Sequence, residues 1–200
     1  TNEVPYPVFA LSGLALWVFV SRAVFQGSTS LVTNQQLVTK TACPRFLLPL
    51  AGVSTMLLDF LISFVLFVMV ALGYGVLPSP RLLAVVPILL VTFAFVLGIS
   101  LVLASLNVRY RDVQQALPFL IQLWFFFSPV AYTLPVTTQP WVSLAGLNPL
   151  VGLIEAFRWA TLGTPRPQGM LALGVLVSLT WLAAGLVYFA RAERTFADDV

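Results

Sequence analysis

The stretch LLAVVPILLVTFAFVLGISLVLASL, residues 82–106, contains no charged side chain. It is longer than the roughly 20 apolar residues that carry a helix across the hydrocarbon core of a bilayer. Such a core offers no water to backbone N–H and C=O groups, so the segment must satisfy them internally, as a helix. Outward from it, the same reading gives four more spans: residues 6–25, with Arg22 near the end; 46–72, which contains Asp59; 116–134; and 170–190. Residues 46–72 and 82–106 are long enough to cross with tilt.

Composition agrees. The chain is 60% hydrophobic and only 8% charged, with a mean hydropathy of +0.98. A soluble domain carries about 25% charged residues, so this sequence cannot cover a water-facing surface. The fold class is an all-α integral membrane protein with five transmembrane helices in a single domain, residues 1–200.

Only Glu3 is charged ahead of the first apolar segment. Without a basic n-region a cleaved signal peptide is a poor reading. The chain is expected to begin partway through a longer product, with six spans in the full length.

Lys and Arg placement orients the spans. With the tail RAERTFADDV inside, Arg22, Lys40, Arg45, Arg109, Arg111, Arg191 and Arg194 are inside, against Arg81, Arg158 and Arg166 outside. The expected C-terminus is therefore cytoplasmic. The segment 135–168 is largely apolar but broken by Pro135, Pro140, Pro149, Pro165 and Pro167. Proline breaks helices. Two short helices, at 141–147 and 150–162, fit as re-entrant or interfacial elements on the outer side.

Several chemistries have no residues to perform them. There is no histidine, the commonest general base and metal ligand, and Cys43 is the single cysteine. The only lysine, Lys40, is not part of a phosphate-cradling GxxxxGK[ST] loop. Glu3, Asp59, Asp112, Glu155, Glu193, Asp198 and Asp199 are scattered rather than clustered for a metal ion. No basic run exists to bind nucleic acid. An intramembrane enzyme is disfavoured, and neither metal nor cofactor is expected in this chain.

Four segments together carry a resemblance: NQQLVTKTACPRFLLPLAGV at 34–53, LNVRYRDVQQALPFLIQLWFFFSPVAY at 106–132, NPLVGLIEAFRWATLG at 148–163, and the ending ERTFADDV at 193–200. In this order they resemble the membrane (permease) subunits of ABC-type exporters of O-antigen, capsule and teichoic acid, within the type 2 ABC export superfamily. The resemblance implies a six-span permease of the bacterial cytoplasmic (inner) membrane with both ends cytoplasmic. This chain matches from the second span onward. The first span and the amphipathic helix before it are expected upstream. It further implies a homodimer of permeases docked on two ATP-binding subunits, which hold ATP and Mg. The expected cargo is a lipid-linked polysaccharide.

The resemblance makes 29–45 a coupling helix, with Asn34, Gln35, Gln36, Leu37, Val38 and Lys40 contacting the ATPase. Periodicity alone does not separate this from an ordinary cytoplasmic loop. Leu31, Val32, Leu37 and Val38 spread widely around a helix, and Asn34 falls among them. Arg109, Arg111 and Asp112 read as a charged inner loop that holds orientation, or as contacts to the ATPase or to lipid phosphates.

Asp59 lies within a span, where an ionisable group is costly and is a functional candidate by default. Its expected partner is a basic side chain at an inner helix end, or the hydroxyl of Ser54 or Ser63. The alternative is a structural hydrogen bond within the bundle. Pro118 and Pro129 should kink the fourth span. Glu155 and Arg158, three apart, are expected to pair with modest effect.

Aromatic residues make up 13% of the chain. Taken singly they read as packing and interfacial anchors. As a group, under the resemblance, Trp17, Phe19, Trp124, Phe126 and Tyr132 are candidates for a path on whose rings sugars stack. Rival readings are a drug or lipid exporter of the same superfamily, a membrane-embedded glycan or lipid transferase, and a membrane anchor without a transport path.

Overall fold

The computed structural model describes residues 4–36, 44–110, 112–132, 148–167 and 169–193. Among them there is no strand. Six α-helices follow in order: α1 (Tyr6–Thr33), α2 (Leu47–Gly73), α3 (Val85–Arg109), α4 (Asp112–Phe126), α5 (Pro149–Leu162) and α6 (Met170–Ala192), with a single 3-10 turn at Leu82–Ala84 leading into α3. Four segments are long and apolar enough to cross a membrane: α1, α2, Leu82–Arg109 and α6.

Helix α1 is the hub. Pro5 precedes its first turn, where a missing N–H costs nothing. The helix touches α2, α3, α4 and α5, and Leu16, Phe19, Val20, Ala23 and Val24 are buried along it. It is longer than hydropathy predicts. The expected span ends at residue 25, whereas α1 continues to Thr33 and is roughly 42 Å long. The added turns hold Ser28, Thr29 and Ser30, which look like loop residues. Each donates its hydroxyl back to a carbonyl of its own helix: Ser28 to Phe25, Thr29 to Phe25 and Ser30 to Gly27. That local bond lets small hydroxyl residues stay buried in a helix.

Helices α3 and α6 cross at a pair of glycines. A Cβ on Gly98 would lie 2.5 Å from the Trp181 carbonyl oxygen, and one on Gly185 would meet the Gly98 carbonyl directly. Small residues let apolar helices approach until dispersion contacts replace lipid contacts. The outward faces remain apolar: Leu58, Leu61, Ile62, Leu66 and Met69 on α2, and Leu176, Leu179 and Val187 on α6, are exposed. A surface of this kind suits lipid rather than water.

The fourth expected span, 116–134, is different. Helix α4 begins earlier, at Asp112, and stops at Phe126 after 15 residues, roughly 22 Å. That is shorter than the hydrocarbon core. Hydropathy counted the apolar run beyond Phe126 as helix, but the chain turns there, with Val130 N–H donating to the Ser128 carbonyl at 2.7 Å. Pro129 sits in that turn, and Pro118 lies within the helix.

Of the two short helices expected in 135–168, the second forms as α5, one residue longer at its start. Asn148 caps it, accepting from the Leu150 N–H at 3.2 Å, Pro149 opens it, and Gly163 at φ +72° closes it. The first, at 141–147, lies outside the described residues. Almost every side chain of α5 is buried, so it is packed inside the protein and touches α1, α3 and α6.

Cross-contacts show which helix ends lie together. Asn107 near the end of α3 donates to the Ser28 carbonyl of α1 at 2.8 Å, and Arg45 ahead of α2 donates to the carbonyl of Glu193 after α6 at 3.2 Å. At the opposite end Tyr6 donates to the Ala131 carbonyl, and Ser79 N–H donates to the Thr161 carbonyl.

Candidate functional site

Three constellations lie between the helices. The first is aromatic. Trp17 of α1 packs edge-on against Trp124 and Phe125 of α4, with centroids 5.8 and 5.5 Å away. Phe95 of α3 meets Trp124 at 5.8 Å. The indole N–H of Trp124 donates to Asn148 Oδ1 at 3.3 Å, while Asn148 Nδ2 donates to the Phe127 carbonyl and to Ser128 Oγ. One amide thus caps α5, satisfies an indole and holds the turn after α4.

The five expected path residues therefore part company. Trp17 is 7% exposed and Phe19 is fully buried against Phe60. Within this chain both pack against neighbouring helices. Trp124 is half-buried, and Phe126 and Tyr132 are exposed. Sequence shows aromatic rings but not the face of the helix on which packing needs them.

The second constellation is ionic. Arg22 Nη1 donates to Asp59 Oδ2 at 3.0 Å. Asp59 thus has a basic partner, as expected, but not one at a helix end, because α1 runs on to Thr33. Ser54 is not its partner, since that hydroxyl donates to the Leu50 carbonyl. Beside the pair is an open cleft of about 470 Å³. Its walls are Ser21, Arg22, Phe25 and Gln26 of α1, Met56 of α2, and Pro118 and Ile121 of α4. Of these only Arg22 is charged, and its side chain is 62% exposed.

The third is Arg158 of α5, read from sequence as a minor i,i+3 partner of Glu155. That pair forms, and the structure adds further partners to it. Arg158 is fully buried. Nη2 donates to the Val130 carbonyl at 2.6 Å, Nη1 donates to Glu155 at 3.3 Å, and the guanidinium lies 3.7 Å from the centroid of the Phe9 ring. A Cβ on Gly13 would sit 2.9 Å from Nη2. One side chain therefore ties α5 to the turn after α4 and to α1. Its Nε has no hydrogen-bond partner among the described residues.

Of the coupling residues, Asn34 closes α1, its N–H and Nδ2 both donating to the Ser30 carbonyl. Gln35 and Gln36 continue as exposed helical residues. Leu37, Val38 and Lys40 lie outside the described residues, as does Arg111. Arg109 lies against the Tyr110 ring at 5.8 Å at the same end of the bundle. Among the described residues no group of three or more Cys, Asp or Glu gathers to hold a metal ion.

The chain was compared with known proteins. The sequence profile of a family described as "ABC-2 type transporter" matches residues 6–162. A protein named "O-antigen export system permease protein RfbA" from Myxococcus xanthus is 30% identical over 204 residues, covering 100% of this chain and 78% of that protein. Two proteins of the same name from Klebsiella pneumoniae are 24% and 25% identical over 198 residues, covering 98% of this chain and 76% of each.

Proposed function

Because the chain belongs to the ABC-2 type transporter family, we propose that it is the permease subunit of an ATP-driven exporter of lipid-linked polysaccharide. The observation that carries this is similarity along the whole chain to a protein named as an O-antigen export permease, joined to four membrane-length helices. The chain is a transport component. It makes no bonds, and ATP with its Mg ion is held and hydrolysed by a separate subunit.

The reading places the permease in the bacterial inner membrane as a pair of copies. The helix ends that gather Asn34, Arg45, Arg109 and Asp112 face the cytoplasm, and the tail lies on that side. This agrees with the excess of Lys and Arg at that end. There the segment after α1 meets the ATPase through Asn34, Gln35, Gln36, Leu37, Val38 and Lys40. A fifth crossing runs through α4 and the turn after it, and α5 is a re-entrant helix from the outer side. Arg158 fastens α5 to α1, so motion transmitted along α1 reaches the outer end. The exposed aromatics Phe126 and Tyr132, with the half-buried Trp124, offer ring faces to the cargo.

A second reading keeps the family and changes the cargo to a lipid or drug. The apolar Phe25, Met56 and Ile121 in the wall of the cleft beside α1 favour it. The polar Ser21, Arg22 and Gln26 in that cleft favour the hydroxyl-rich cargo.

The test is purification of the intact permease from its native membrane in mild detergent, followed by mass spectrometry. An ATPase bearing a phosphate-binding loop should co-purify and be lost when residues 35–39 are replaced by alanine. Deletion of the gene should abolish surface glycan. A permease that brings down no ATPase, in cells whose surface glycan survives the deletion, overturns the reading.

A further inference from the structure

We propose that the cleft at Arg22 is a glycan-binding station, in which Arg22, paired with Asp59 beside the cleft, together with Gln26 and Phe25 holds an uncharged, hydroxyl-rich segment of the passing polysaccharide. This rests on the export reading and names where in the chain the cargo is held.

Depth is the first argument. Arg22 and Asp59 lie inside helices long enough to cross the membrane. An ionisable side chain there faces a bundle interior or a water-filled cavity, because hydrocarbon penalises it. Arg158, on the shorter helix α5, is fully buried. The Arg22 and Asp59 side chains remain 62% and 36% exposed, which fits the second. The cleft is then aqueous, and its lining is available to a solute.

Charge selects the solute. The carboxylate of Asp59 balances the guanidinium of Arg22, so an anion approaching Arg22 also meets Asp59. A sugar diol meets no such conflict. Its oxygens accept from the guanidinium, which carries five N–H groups, while its hydroxyls donate to the carboxylate. Only one Arg22 bond to a protein acceptor, that to Asp59, is present among the described residues.

The rest of the lining matches. Gln26, one turn beyond Arg22 and exposed, offers an amide donor and acceptor. Ser21 donates to the Val18 carbonyl, leaving its oxygen to accept. Phe25 supplies an aromatic face for the C–H surface of a sugar ring. The volume of about 470 Å³ falls in the range of small-ligand sites, roughly 300–1,000 Å³. Its open side lets a polymer slide through rather than be enclosed.

The experiment uses the full permease with its ATPase in cells that make the glycan. A photoreactive benzophenone amino acid replaces Met56, which lines the cleft without contributing polar groups. A second variant carries it at Leu61, exposed on α2 away from the cleft lining. On irradiation, a glycan-reactive adduct should form at Met56 at least about tenfold more than at Leu61. In the Met56 background, Arg22→Gln or Asp59→Asn should lower it about tenfold, the effect of one lost charged hydrogen bond. Gln26→Ala, which removes no side-chain hydrogen bond among the described residues, should lower it severalfold. Adducts with lipid only, adducts with a second copy of the chain, or glycan adducts indifferent to all three substitutions overturn the site. If the Met56 variant fails to insert, export by Gln26→Ala at unchanged permease level decides: a severalfold fall supports the site and an unchanged rate overturns it. Surface glycan lost on gene deletion with no Met56 adduct means the site fails while the export reading stands. Surface glycan that survives deletion means the export reading itself fails.

Discussion

The guanidinium of Arg158 stacks on Phe9, 3.7 Å from the ring centroid, while its Nη2 donates to the Val130 carbonyl at 2.6 Å. A fork of donors and a flat cationic face are both in use, and lysine offers neither. Arg158→Leu leaves the buried Val130 carbonyl without its donor, a loss of about 1–3 kcal/mol, and removes the partner of the partly exposed Glu155. The expected outcome is a clear fall in the thermal midpoint of the detergent-solubilised permease, with Arg158→Lys only partly restoring it. A Lys variant equal to wild type would show that charge alone matters.

The α3–α6 crossing predicts an asymmetry among glycines. Gly98→Leu or Gly185→Leu drives a side chain into the facing backbone and should prevent stable assembly, since overpacking costs about 1–3 kcal/mol even where neighbours can yield. Gly73→Ala meets nothing within 4 Å and should behave as wild type. Expression level and gel-filtration profile in detergent read the difference.

Asn148 joins three elements, so Asn148→Ala should cost more than a helix cap. The cap is worth about 1 kcal/mol, and the Trp124 indole N–H, left unpaired, adds roughly 1–3 kcal/mol. Limited proteolysis should show faster cleavage between α4 and α5, and tryptophan emission should shift. Unchanged digestion would mean that the cap and indole bonds contribute little.

The pair Arg22–Asp59 predicts a small coupling. If it faced hydrocarbon, each single neutralisation would strand a charge costing about 2.5–3.5 kcal/mol. In an aqueous cleft the pair behaves as a surface ion pair, worth about 0–1 kcal/mol. A double-mutant cycle of Arg22→Gln and Asp59→Asn, read by thermal denaturation, is expected to give the smaller value.

Much of this protein was legible before its folding was known. Residues 82–106 became a membrane helix because no other backbone arrangement satisfies an uncharged run of that length. Asp59 drew attention through the cost of a carboxylate at that depth, while the choice of Arg22 over a serine hydroxyl as its partner came from the structure. The limits of α1 and α4 were not legible. Ser28, Thr29 and Ser30 read as loop until their hydroxyls are seen returning to helix carbonyls, and the apolar residues after Phe126 read as helix until the chain is seen to turn. Arg158 read only as the i,i+3 partner of Glu155, a pair that forms, because nothing near it in sequence announces Phe9 or Val130.

The sequence by itself determined the class, a bundle of membrane helices, and through its segment order the family. Those follow from composition and chain order, which need no partner. Tertiary structure alone decided which side of each helix is interior. Lipid is as apolar as a packed leucine, so burial among helices and exposure to lipid leave nearly the same mark on a sequence. Trp17 inside and Phe126 outside are equally aromatic. Only the approach of α1, α4 and the capped start of α5 placed Trp17 in the core, sealed Arg158 and left Arg22 open to a cleft.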